Sequence, residues 1–135
     1  MAKKRWVYSP KKQAVPKVSD SLKQTVKDKA DELVNTVLIP QHIKPPPEGN
    51  QFNYVVNIYT KWYRNYFYFC STYNSPGPYA ISPSFEDKFA RLESVTTDKF
   101  NLAYMRHTGQ WQEIAQSISL DEALEMIRDS GIFHP

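Results

Sequence analysis

The chain has 135 residues, a formal net charge of +3, and a composition of 41% hydrophobic and 23% charged residues. That size supports one domain with its own core, and apolar runs far shorter than about 20 residues exclude a membrane-spanning helix. No apolar stretch follows the basic start MAKKRWVYSPKK, and the single cysteine, Cys70, cannot pair within the chain, so the expected compartment is the reducing cytoplasm.

Charge is unevenly placed. Residues 1–17 hold Lys3, Lys4, Arg5, Lys11, Lys12 and Lys17 and no acid, which leaves eleven basic and fourteen acidic residues from Val18 onward. Pro10 and Pro16 interrupt this segment, and its apolar content is too low to pack alone. The expectation is therefore a flexible basic arm over 1–17 ahead of a single domain over 18–135. Arms of this kind contact polyanions, and Lys3, Lys4, Arg5, Trp6, Lys11 and Lys12 are the residues expected to meet nucleic acid or an acidic protein partner.

Ser19 or Asp20 can cap a helix in which Leu22, Val26, Ala30, Leu33 and Val37 share one face, and Pro40 is expected to end it. Pro45, Pro46 and Pro47 then make a stiff connector. Ten of the 19 aromatic residues fall between Phe52 and Tyr73. There Phe52, Tyr54, Val56 and Ile58 alternate with Asn53, Val55, Asn57 and Tyr59 as a first strand, a turn lies near Tyr63 to Asn65, and Tyr66 to Ser71 returns as the second strand of a hairpin. Tyr66 and Tyr68 alternate with Phe67 and Phe69, so rings point to both faces of the sheet. If helices cover one face, the other keeps tyrosines that need a cover, and a homodimer through that face is the expected answer.

Pro76, Gly77, Pro78 and Pro83 make residues 74–84 a surface loop. Three shorter strands follow over 87–95, 100–106 and 110–115, joined by turns at 96–99 and 107–109. Ser119 with Glu122 forms a capping box for a last helix, whose buried face is Leu120, Ala123, Leu124 and Ile127 and which Gly131 ends. The fold class is α+β: an antiparallel sheet of about five strands, with an N-terminal and a C-terminal helix on one face.

Chemistry-bearing patterns are sparse. Arg106, His107 and Trp111 crowd one hairpin tip and are the candidate ligand-binding residues, although Thr108 and Gly109 also suit a turn, Trp111 can pack across strands and Arg106 can pair with Glu93 or Glu113. His42, His107 and His134 lack metal-ligand spacing, so neither a metal nor a cofactor is expected. No G-x-S-x-G elbow or P-loop is present, Cys70 is expected to be a structural core residue, and Glu86 and Asp87 face opposite sides of a strand.

The stretch KFARLESVTTDKFNLAYMRHTGQWQEIAQSISLDEALEMIRDSGIFHP carries a strand with a tryptophan, Trp111, a short leucine-bearing helix and a terminal aromatic, Phe133. With the aromatic hairpin before it, this resembles a family of small bacterial domains of unknown function over residues 42–135, which implies the same α+β outline and no site residues. The expected role is a non-enzymatic binding or assembly module. The alternatives are a nucleic-acid-binding protein acting through its arm, and a small-ligand protein or enzyme with its site at Arg106, His107 and Trp111.

Overall fold

The computed structural model describes residues 18–45, 53–77 and 82–135. The basic arm, Phe52, most of the proline connector and the middle of loop 74–84 lie outside the described residues.

Helix α1, Asp20–Leu33, begins where Ser19 accepts a hydrogen bond from the Leu22 N–H at 3.1 Å. Its buried residues are Val26, Ala30 and Leu33, the face expected from the spacing. Pro40 does not end the helix. A wider π-helical turn, Val34–Leu38, comes first, and a short α2, Ile39–His42, carries Pro40 in its opening turn. A proline is tolerated in a helix interior only where its missing N–H and its ring are accommodated, and the register change of a π turn supplies that room. The chain becomes extended at Ile43, shortly before Pro45.

Five strands follow as a meander in the order β1-β2-β3-β4-β5, every pair antiparallel: β1 Tyr54–Tyr63, β2 Tyr66–Asn74, β3 Ser84–Ser94, β4 Phe100–Met105 and β5 Trp111–Ile118. Helix α3, Leu120–Asp129, opens on the Ser119 and Glu122 capping box and closes at Ser130, with Gly131 in the left-handed region at φ 81°.

One core joins the helices to one side of the sheet. Val26, Ala30, Leu33, Val34 and Leu38 from the first helical segment meet Ile58, Phe67, Phe69, Leu92, Phe100 and Leu102 from the strands and Ala123 and Ile127 from α3. Trp62 packs edge-on to Phe67 at 5.1 Å and donates its indole N–H to the Lys23 carbonyl at 3.1 Å, tying β1 to α1. Two bulges disturb the simple alternation in β1 and β3, and the β4–β5 register shifts twice. Val56 is the extra residue between Val55 and Asn57 and is exposed, so it does not share the face of the buried Ile58 as strict alternation would require. Phe89 is extra opposite Phe69 and Cys70, which lets both Phe89 and Ala90 enter the core. No helix among the described residues is long and apolar enough to cross a membrane.

The two-residue loop of the β1–β2 hairpin has Arg64 at φ 57°, a conformation that glycine adopts without steric cost and arginine does not. Arg64→Gly is expected to raise stability by about 0.5–1 kcal/mol, after the entropy that glycine costs in the unfolded chain. A denaturation midpoint that moves down instead would show that the contact of Arg64 with the Tyr63 ring, at 5.2 Å, outweighs the backbone relief.

Candidate functional site

The helix-free face of the sheet carries the residues that alternate with the core. Across the strands the pairing register places Lys61, Tyr68, Arg91, Ala103 and Glu113 in one row, and Tyr63, Tyr66, Glu93 and Asn101 in the next. Tyr66 and Tyr68 are half-buried on this face while Phe67 and Phe69 between them are fully buried on the other. The bidirectional aromatic pattern of β2 therefore divides as a pleated strand must.

Arg91 is the centre of the face. Its guanidinium carbon stands 4.9 Å from the Tyr66 ring and 4.9 Å from the Trp111 ring, a cation held between two aromatic surfaces brought from β2 and β5. Tyr68 extends the cluster, 5.9 Å from Trp111 and 6.2 Å from Tyr66, and the Lys88 ammonium lies 5.8 Å from the Tyr68 ring. Each such contact is worth about 0.5–2 kcal/mol depending on solvation, and together they fix the arginine side chain in place. Among the described residues Arg91 Nε is buried without a hydrogen-bond partner and Arg91 makes no ion pair. The two lysines of the face are already engaged: Glu86 accepts Lys61 at 3.2 Å and Lys88 at 3.5 Å. Arg91 is thus a held cation whose charge is unanswered within its own face.

Trp111, which the sequence groups with a hairpin tip, starts β5 beside that tip and turns its ring into this cluster. Arg106 and His107 remain exposed in the β4–β5 turn, which is closed by the Arg106 N–H to Gln110 carbonyl bond at 2.9 Å and by Gly109 at φ 83°. Arg106 makes no ion pair with Glu93 or Glu113 among the described residues; the Asn101 amide reaches Glu93 at 3.4 Å and Gln116 reaches Glu113 at 2.6 Å. Sequence reasoning misses Arg91, whose ring partners are 25 and 20 positions away along the chain. The available signal is an outward arginine in a strand flanked by outward-facing tyrosines.

Cys70 sits under the same face, fully buried. Burial pushes its thiol up from the ordinary range, with Asp87 adding to the rise and Lys61 and Lys88 opposing it, so the sulfur is held as an unreactive thiol. Among the described residues no cluster of three His, Cys, Asp or Glu side chains is placed to hold a metal. On the opposite side an open groove of about 430 Å³ separates α1 from α3, bridged by the Lys29 to Asp121 ion pair at 3.2 Å.

A family model for a domain of unknown function, DUF3024, matches residues 18–135. The chain belongs to that family. The match to DUF3024 takes in α1, which lies outside the resemblance carried by residues 42–135, and it begins directly after the basic segment 1–17. No curated protein and no solved structure matches the chain.

At the far end of this DUF3024 domain, burial lowers the pKa of His42, and the nearby His134 and Lys44 lower it further. The folded state therefore prefers the neutral ring. Above the usual imidazole value of 6.5 the two states bind protons alike; below it the unfolded chain takes up a proton that the folded one resists. Melting temperature is expected to fall as pH drops through 6.5, and His42→Gln to flatten that dependence; parallel profiles for the two proteins would remove His42 as its source.

Proposed function

We propose that the domain is a non-enzymatic binding and assembly module whose working surface is the helix-free face of the sheet. The observation that carries this reading is Arg91, stacked between Tyr66 and Trp111 with no acidic partner among the described residues. Side chains of Arg, Tyr and Trp are those that interfaces favour, because they give large contact area and strong polar contacts at modest entropic cost. A guanidinium already clamped between rings loses little freedom when it meets an anion.

The test is a backbone NMR titration with three probes: the chain itself on dilution, a single-stranded deoxyoligonucleotide, and oligoglutamate. Shift changes confined to the neighbourhood of Tyr66, Tyr68, Arg91 and Trp111 with any one probe would support the face as a binding surface. Silence there with all three at millimolar concentration would end the proposal.

A second reading concerns the arm, supported by six cations and no acid in residues 1–17. If it binds nucleic acid, affinity should fall steeply with salt. Deleting 1–17 should then make the slope of log affinity against log salt shallower, by about 0.9 for every phosphate that the arm neutralises on duplex DNA. Equal slopes for the full and shortened chains would leave the arm without that role.

A further inference from the structure

The rows of the open face fit a second copy of themselves. We propose that this face is the interface of a two-fold dimer in which Arg91 of each copy is bound by Glu93 of the other. This rests on the face being the working surface and names its occupant.

Strand register favours this pairing. A two-fold axis lying in the face can run along the strands or across them. Along β3 it would set Arg91 against Arg91 and Glu93 against Glu93, like on like; along the line between β2 and β3 it would set Arg91 against Tyr68 and Glu93 against Tyr66 and leave both charges unpaired. Across the strands, midway between the two rows, it sets each row against the other. Arg91 then meets Glu93, Tyr68 meets Tyr66, Lys61 meets the exposed ring of Tyr63, and Ala103 meets Asn101, with every contact made twice. Between the two rows no like charges face one another; Arg64, outside the rows and 5.2 Å from the Tyr63 ring, is, among the described residues, the one cation near the approaching Lys61. An ion pair, a ring pair and a cation over a ring all form at once.

The charge balance favours the same occupant. The face holds Lys61, Lys88 and Arg91 against Glu86, Glu93 and Glu113, so it has no net sign to attract a strongly charged partner and is complementary to itself. Within one copy Glu93 lies two residues from Arg91 on the same face, yet the two are not within ion-pair distance, and among the described residues Glu93 receives only the long Asn101 contact at 3.4 Å. A second copy supplies what each group lacks. Two sheets packed face to face stay within about 30° of alignment, and rows near β2 and β3 remain in register under that rotation.

The experiment is sedimentation equilibrium on the full chain and three variants, each checked for the wild-type circular dichroism spectrum. Wild type should be dimeric. Arg91→Glu and Glu93→Arg should each weaken the dimer by about thirtyfold or more, since each sets like charges across the axis. The double variant, with both changes in one chain, should recover most of the affinity, because the reciprocal pairs re-form with their signs exchanged. Should Arg91→Glu, and with it the double variant, fail to fold, Glu93→Arg still decides the matter, since it sets like charges across the axis and leaves Arg91 between its two rings. A wild-type monomer at all concentrations would overturn the dimer, while an oligonucleotide or oligoglutamate response in the titration would leave the binding face standing. A dimer that ignores all three variants, or a double variant no better than the singles, would overturn the Arg91 to Glu93 pairing.

Discussion

Phe67→Ala should cost about 3–5 kcal/mol, the largest loss expected from any single truncation in the sheet. Phe67 is wholly buried and meets Trp62 at 5.1 Å and Phe69 at 5.6 Å, both edge-on, so its removal takes away transfer energy and two aromatic contacts together. Its neighbours are fixed at both ends: Trp62 by the hydrogen bond to the Lys23 carbonyl and Phe69 by Phe89 at 6.1 Å. The cavity therefore cannot collapse easily, which places the cost toward the upper part of that range. Urea unfolding is the measurement, and the midpoint should fall with little change in slope. A loss below about 1 kcal/mol would mean that the core repacks, contrary to close packing at this site.

Asp31→Ala should be the most damaging polar change. The Asp31 carboxylate accepts the Thr60 hydroxyl at 2.5 Å and the Lys27 ammonium at 2.9 Å, and Lys27 also reaches the Thr60 hydroxyl and carbonyl at 3.0 and 3.2 Å. This three-residue network fastens α1 to β1 across the layer interface. Removing the carboxylate leaves the buried Thr60 hydroxyl with only an ammonium beside it, which cannot accept its proton. The ion pair itself is discounted, because the side chains of Lys27 and Asp31 are 40% and 37% exposed and water screens them. The expected cost is about 1–2 kcal/mol, mostly from the orphaned hydroxyl. Adding Thr60→Val to Asp31→Ala should then cost less than the two single losses combined; strict additivity would show that the residues do not act as a unit.

Much of the architecture is readable from the sequence because it is local. The alternation of Tyr66, Phe67, Tyr68 and Phe69 has the two-residue period of a strand; Leu22, Val26, Ala30 and Leu33 have the helical period; and the Ser119 to Glu122 spacing is a capping signature. What escapes depends on partners elsewhere in the chain. The bulges at Val56 and Phe89 arise from how one strand lies on its neighbour, which neither strand encodes alone. Pro40 reads as a stop, yet the π turn ahead of it changes which carbonyl its ring must avoid and lets the helix run on. The site shows the same division. Tyrosines on an uncovered face are foreseeable from period alone, but the Arg91 clamp joins three strands, and Trp111, which starts β5 beside the Arg106 and His107 turn, turns its ring to Arg91 and Tyr68.

The two outermost strands have a further effect on how copies can associate. β1 carries the Val56 bulge, and β5 is broken twice against β4, with Ser117 at φ 53° where the Asn101 side chain accepts its N–H at 3.0 Å. The β5 edge does not offer the even row of backbone donors and acceptors that a neighbouring chain needs to add itself as a sixth strand, and the Val56 bulge confines that row on β1 to the stretch after it. Lateral growth of the sheet into fibres is obstructed at β5 and narrowed at β1, so a molecule with half-buried tyrosines on an open face is steered away from open-ended polymers and toward closed assemblies.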